Sequence, residues 1–437
     1  MKKILLAVLL GCCLSFFLYP DLLEINTFEL PNGLRVIFSP DSNMEAVAVC
    51  VYFLHGVRYD PPDVQGGSYL YQNLMFLGTE NFEPYDHVLF VNKVGGVIGG
   101  RVNYDNSFFS QVVPASEIKT ALKYESERLH SLRLEDPLIE SQKTQIYNRF
   151  SRMLETNIPF RAQSWVNAKL LEGTPYGIPV YGDLNKIRSF NNDRIRELYR
   201  IFRNPANILL LIAGKVNILE LRSIINTWFV DLSPSSRPKA TFSSSGENSR
   251  AYLYKNWLIP GLPKNFVIFG FRAPARFYYD YLYFEFLRYY LCDERISRLS
   301  HILRSVNGLD VDITADLSDF FNANSFLIQM TSPSRVDLER SKEIVNLELT
   351  AMCRFPVSNP DLRAVKSLME LDFLKALSLP ESKCQKIAEL FHLTNDLNYY
   401  NTYLARIRKI TSYDIMNTVQ KYLIKENQVT LNVVPAK

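Results

Sequence analysis

An α+β protein of two homologous domains is what this chain predicts, each domain a mixed or antiparallel sheet packed against helices. Three observations carry the expectation. The order strand, helix, paired strands, helices, strand occurs twice. The two occurrences are separated by one linker-like stretch, Ser233-Pro-Ser-Ser-Arg-Pro-Lys239 with Ser243-Ser-Ser-Gly-Glu247. The 437 residues, 47% apolar and 22% charged, suffice for two domains of ordinary size. The expected division is a targeting segment at 1–22, a domain at 24–232, a linker at 233–249 and a domain at 250–437.

In the first half, Phe28 to Phe38 reads as two strands around an Asn-Gly turn. Ala46 to Leu54 is β-branched and aromatic, as a central strand requires. Gly56-Val-Arg-Tyr-Asp-Pro-Pro62 ends it with turn residues. Gly66 to Thr79 follows as an amphipathic helix that Gly78 is placed to end. A helix at Tyr85 to Val94, a glycine-rich turn at Gly95 to Gly100, an edge strand through Val102 and a return strand at Ser107 to Val113 come next. The glycines lack a following Lys-Ser/Thr, which argues against a phosphate loop. Helices are expected at Glu117 to Leu132, Leu138 to Leu154, Arg161 to Leu171, Asn192 to Phe202 and Leu219 to Phe229, with a buried strand at Asn207 to Ala213.

The second half repeats this grammar. Phe266 to Phe271 is a strand, Asp280 to Leu291 a helix, and Ser297 to Leu303 its continuation. Val311 to Leu317 and Ser325 to Thr331 alternate as paired strands. Helices at Val336 to Cys353, Pro360 to Leu377, Glu381 to Phe391 and Tyr413 to Tyr422 precede a last strand at Val429 to Val434.

A net charge of +4 with both signs interspersed gives no footprint for nucleic acid. The 28 Phe and 25 Tyr are scattered, as core aromatics are. Lys2 and Lys3 before the apolar run Ile4 to Leu10 read as an export signal, which places the protein in a bacterial periplasm or envelope. The run continues to about Tyr19, so the N-terminus could also serve as a membrane tether. Leu9-Leu-Gly-Cys12 is a loose lipobox, with Cys12 as the lipid-bearing residue. Cys50, Cys292, Cys353 and Cys384 show no CxxC pairing, and buried free thiols are expected. Glu125 and Glu127 read as a solvated helix face and a packing position.

The helix at Gly66 to Thr79 places Tyr69, Gln72 and Asn73 on one face. His, Glu and His at these three positions would form a zinc site with its general base. A phenol of pKa about 10 is a poor ligand at neutral pH. A neutral amide is not what borderline-soft zinc selects. Gln72 cannot take a proton from water. The five histidines, His55, His87, His130, His301 and His392, are unpaired at helical spacing, so no substitute metal set is evident.

In order, Leu30-Pro-Asn-Gly-Leu-Arg-Val36, Gly56-Val-Arg-Tyr-Asp-Pro61, Met75-Phe-Leu-Gly-Thr79, Gly95-Gly96, Glu127-Arg-Leu129, Pro175-Tyr-Gly177, Asn204-Pro-Ala-Asn207, Ala213-Gly-Lys-Val216, Ile259-Pro-Gly-Leu-Pro263, Ser297-Arg-Leu299 and Leu303-Arg304 run along the chain. No single mark is specific, but the whole succession resembles the pitrilysin/insulinase family. That family includes bacterial two-domain peptidases, the mitochondrial processing peptidase and the core subunits of the respiratory bc1 complex. The resemblance implies that Tyr69, Gln72 and Asn73 stand where catalytic members carry His-x-x-Glu-His. It places Arg149 where they carry a Glu ligand, so no zinc cofactor and no catalytic residue is expected. Gly99-Gly-Arg-Val102, with Arg101, stands where catalytic members capture peptide as an added strand. Some members work as pairs in which a zinc-free subunit lends an Arg and a Tyr. Here Arg304 matches the Arg and Val311 replaces the Tyr. Arg304 reads either as a peptide-positioning cation or as a surface ion-pair residue. The implied function is a non-catalytic subunit that forms a peptide chamber with a zinc-bearing homologue as a heterodimer. The alternatives are an envelope interaction protein with no proteolytic role and a self-sufficient peptidase with atypical ligands.

Overall fold

A computed structural model describes residues 23–234 and 252–436. The expected targeting segment, Cys12 and most of the expected linker lie outside the described residues. The N-terminal sheet has the order β1-β2-β6-β3-β5-β4. Its strands are β1 (Asn26–Glu29), β2 (Arg35–Pro40), β3 (Ala46–Phe53), β4 (Val97–Val102), β5 (Ser107–Pro114) and β6 (Ile208–Gly214). The C-terminal sheet has the order β7-β11-β8-β10-β9, from β7 (Leu253–Ile259), β8 (Asn265–Ala273), β9 (Asp312–Leu317), β10 (Asn324–Ser332) and β11 (Val429–Pro435). Among the described residues the only parallel pair in each sheet joins the first and last strands of the shared pattern, β2 with β6 and β7 with β11. The rest is antiparallel, with β4 and β9 as corresponding outer strands. The doubled α+β architecture is therefore present, and β2-β6-β3-β5-β4 repeats as β7-β11-β8-β10-β9.

The helices follow chain order: α1 (Gly67–Leu74), α2 (Asp86–Lys93), α3 (Ile118–His130), α4 (Asp136–Thr156), α5 (Ile158–Leu170), α6 (Asn192–Phe202) and α7 (Ile218–Phe229) in the first half. The second half has α8 (Tyr279–Cys292), α9 (Arg335–Met352), α10 (Asn359–Ser378), α11 (Pro380–Thr394), α12 (Tyr399–Lys409) and α13 (Ser412–Tyr422). One face of each sheet is covered by helices of its own domain, giving a separate apolar core per domain.

The opposite faces are covered reciprocally. Helix α5 begins with an Asn157 cap on the Phe160 amide and lays Val166 and Leu170 on Ile268, Leu431 and Val433 of the C-terminal sheet. Gly270 makes this approach possible, since a Cβ there would lie 2.5 Å from Val166 Cγ1. In return α11 lays Cys384, Ile387 and Phe391 on Cys50, Tyr52 and Leu211 of the N-terminal sheet. Each domain thus completes the other's hydrophobic burial.

Buried polar groups lock this seam. Arg58 meets Asp105 at 2.9 Å, and Asp105 accepts from the Phe321 amide of the other domain at 2.8 Å. Glu389 of α11 pairs with Arg276 at 3.1 Å and with Arg101 of β4 at 3.3 Å. Burial pushes the Glu389 carboxyl up, but Lys386, Arg276, Gln385 and Arg101 outweigh it and hold it at about 2. His392 lies in the same seam, accepting or donating at 3.1 Å to the Tyr52 hydroxyl, and burial lowers it to about 3.

Several local expectations change. Strand β7 and helix α12 were not expected. Lys255 and Asn256 dilute the apolar pattern of β7, an outer strand held by β11, and α12 is rich in Tyr and Arg. The helix expected to continue from Ser297 is one turn, Arg298–Ser300, followed by a wider π turn at His301–Val306. The helix expected to reach Gly78 ends at Leu74, and Gly78, at φ 91°, serves the turn beyond. Glu125 is buried rather than solvated, paired with Arg128 and accepting from Gln111 at 2.8 Å. Cys50 and Cys384, distant in sequence, are the buried free thiols that were expected and share one inter-domain cluster, whereas Cys292 and Cys353 are only half-buried.

Candidate functional site

Helix α1 is held at its start by one carboxylate. Asp60 accepts from the Gly66 amide at 2.9 Å and the Ser68 amide at 3.0 Å, and from the Ser68 hydroxyl. Burial raises the Asp60 carboxyl to about 7 against these donors, which pull it down. Gly66 sits at φ 98°, and a Cβ there would be 2.6 Å from the Tyr181 carbonyl oxygen. Leu70, Tyr71 and Leu74 face the core, which leaves Gln72 and Asn73 on the outward side.

That side opens on a cavity of about 360 Å³ between α1, α2, β4 and α4. Gln72, Asn73, Gly99, Gly100, Gln142 and Gln145 supply its polar lining, with Phe76 and Ile98 among the apolar residues. The Gln72 amide donates to the Gly100 carbonyl on the outer edge of β4. The Asn73 amide donates back to the Tyr69 carbonyl at 2.8 Å, one turn earlier in its own helix. The Tyr69 ring packs edge-on against Phe150 at 5.4 Å. Arg149 is exposed, its guanidinium 5.6 Å from the Phe150 ring centre. Motif spacing singles out Arg149, whereas the cavity wall is made by Gln142 and Gln145, one helical turn apart on α4. Gln142 interrupts the buried stripe of Ile139, Ile146 and Phe150, and a polar residue on that stripe was the available signal.

The donor set does not fit the zinc that the helix position would imply. The two side chains that α1 offers are neutral carboxamides, whose NH2 groups donate to backbone carbonyls and whose oxygens bring no charge to a zinc ion. Among the described residues no group of three His, Cys, Asp or Glu side chains is placed to hold a metal ion.

The other residues singled out by the sequence divide between the cavity wall and its surroundings. Gly99 and Gly100 line it, and a Cβ at Gly100 would be 2.8 Å from the Phe109 ring. Arg101 turns to Glu389 and stacks on Phe108 at 5.1 Å, while Val102 packs into the inter-domain cluster. Arg304 donates to the Val311 carbonyl at 2.7 Å and pairs with Asp312, with Val311 itself fully buried.

Two family models cover most of the chain. Residues 35–184 match "Insulinase (Peptidase family M16)" and residues 189–369 match "Peptidase M16 inactive domain". The chain belongs to the M16 peptidase family. Among curated relatives of this M16 chain, the zinc protease PqqE of Helicobacter pylori is 20% identical over 93% of this chain and 92% of its own length. An uncharacterized zinc protease of Bacillus subtilis is 18% identical over 47% of this chain, and the match takes in only 50% of that protein. A protease from Helicobacter pylori superposes with a TM-score of 0.85 at 17% identity, over 94% of this chain and 100% of its own. The periplasmic protease PqqL of Escherichia coli superposes with a TM-score of 0.76 at 14% identity, over 94% of this chain and 47% of that one.

Proposed function

We propose that this M16 chain is a non-catalytic subunit that pairs with a zinc-bearing homologue and completes a peptide-handling chamber. The observation that carries the reading is the pair of amides on α1. Gln72 and Asn73 occupy the face where a metal and its base would act, and each is bound to a backbone carbonyl. The intact cavity and the complete two-domain scaffold support retention of the fold for assembly.

Export to the periplasm or envelope belongs to the same reading. It is supported by the basic and apolar N-terminus and by the periplasmic protease that shares the fold. Among the described residues no helix is long and apolar enough to cross a membrane.

The test is reconstitution. The purified chain should carry less than stoichiometric zinc by elemental analysis and should not hydrolyse peptides alone. Co-expression with a zinc-bearing M16 protein from the same genome should give a stable complex with raised peptide turnover. A monodisperse chain that ignores every such homologue would defeat the pairing proposal.

Gln72 also favours a second reading, an interaction protein without proteolytic role. By occupying the Gly100 carbonyl it takes one of the outer groups that a captured peptide strand would need. Affinity purification returning envelope components without a peptidase would select this reading.

A further inference from the structure

The repeat of the fold generates a second cavity at the matching place in the C-terminal domain. Helix α8, outer strand β9 and helix α10 there correspond to α1, β4 and α4. The cavity measures about 350 Å³, within the range of small-molecule sites. Its walls carry acids and bases of both signs. Glu285 and Arg288 project from α8, Asp316 from β9 and Lys386 from α11, over an apolar floor that includes Met369 and Phe373.

These charges are held apart. The Tyr403 hydroxyl donates to Glu285 at 2.6 Å, which fixes that carboxylate against the wall. The Arg288 guanidinium lies 4.5 Å from the Tyr289 ring centre. Lys386 stands 3.7 Å from Glu389, whose carboxylate is already engaged by Arg276. Among the described residues, none of Glu285, Arg288, Asp316 and Lys386 comes within ion-pair distance of another of the four. Long flexible side chains of opposite sign would ordinarily close on each other across a gap of this kind. Glu285, Arg288 and Lys386 each have a partner outside this set, which keeps the gap open and presents both signs, with Asp316 on the β9 side, to whatever enters.

We infer that this C-terminal cavity binds a small zwitterion, an apolar α-amino acid or a dipeptide, with its ammonium toward Glu285 and Asp316 and its carboxylate toward Arg288 and Lys386. The apolar floor would take the side chain. A simple anion or a simple amine satisfies only half of the wall, so both charges on one short skeleton are required.

Isothermal titration on the chain expressed without residues 1–22 tests this with L-leucine, Leu-Gly, 4-methylpentanoate and 3-methylbutylamine. Leucine or Leu-Gly should bind, and whichever binds more tightly identifies the source. The deaminated acid and the decarboxylated amine should each bind at least tenfold more weakly. Asp316→Asn and Arg288→Gln should each weaken zwitterion binding about tenfold while the circular dichroism spectrum and melting temperature stay unchanged. Gln72→Ala, in the other cavity, should leave it untouched. No heat from either zwitterion at 10-millimolar order, equal affinity for the acid or the amine alone, or binding indifferent to both substitutions would overturn the assignment.

Discussion

The two cavities differ in chemistry and scarcely in size. One, of about 360 Å³, has carboxamides, glycines and apolar rings on its wall. The other, of about 350 Å³, has Glu285, Arg288, Asp316 and Asp372 on the corresponding elements and Lys386 on α11. The same helix, outer strand and third helix frame both. Backbone topology therefore sets the hollow, and a few outward side chains on each helix set what it can hold. An uncharged outer face on α1 leaves the fold intact, because Leu70, Tyr71 and Leu74 on its other face carry the packing.

The most direct way to break the contrast is to return ionisable donors to the N-terminal cavity. In Tyr69→His/Gln72→Glu/Asn73→His, two imidazoles stand one turn apart on α1. Zinc affinity should rise to the micromolar range, about 8 kcal/mol of binding free energy. Competition with a zinc-sensitive dye measures it, with the parent chain as the reference. Failure of the folded variant to bind would mean that α1 no longer presents its old geometry, and that more than the ligands has changed.

The second way is to unsettle the charged side. Glu389 receives Arg276 and Arg101 from two domains, so Glu389→Ala leaves a buried guanidinium without its carboxylate. A loss of about 3–5 kcal/mol is expected in urea unfolding. Parent-like stability would show that the seam does not depend on this ion pair.

How much of this was legible follows the same division. Alternation and helical period expose a domain's own core, so the repeated order of elements, the outer strand Val97–Val102 and the helix bearing Gln72 could be read from sequence. Reciprocal cover could not. The apolar stripes of α5 and α11 look alike whether they bury against their own sheet or the other one. Gly270 reads only as an interruption of β8 until Val166 is seen above it. Glu125 looked solvated because an i, i+3 pair with Arg128 reads equally well as a surface pair, and nothing local announces Gln111 as its second partner in the core. Charged positions 285, 316 and 386 lie too far apart in sequence to suggest one wall.

Acid should separate the two halves of the contrast. Glu389 has a folded-state pKa of about 2, below its ordinary 4.5. Its contribution is therefore complete above pH 4.5 and disappears as pH falls toward 2. The size is on the order of 3 kcal/mol. His392, lowered to about 3 from 6.5, acts in the same direction over a higher window, since unfolding below pH 6.5 lets it take up a proton. Urea unfolding from pH 7 to pH 3 should show stability falling, and Glu389→Gln should flatten the part below pH 4.5. An unchanged acid limb in that variant would remove Glu389 from the account.

The smallest effect expected is at Gln72, and it bears most on what the N-terminal cavity has become. Its amide reaches across to the Gly100 carbonyl, which lies on the open side of β4. Gln72→Ala removes that donor but leaves the carbonyl facing the cavity, where water can replace it. The loss should therefore be about 1 kcal/mol or less. What should change is access, because the outer edge of β4 regains an unsatisfied acceptor. A fluorescent extended peptide that ignores the parent chain should then bind weakly to Gln72→Ala, and Gln72→Glu, with no donor to offer, should behave alike. If neither variant gains binding, the Gly100 edge is closed by its own shape, with the Phe76 and Phe109 rings packed beside it, rather than by the amide.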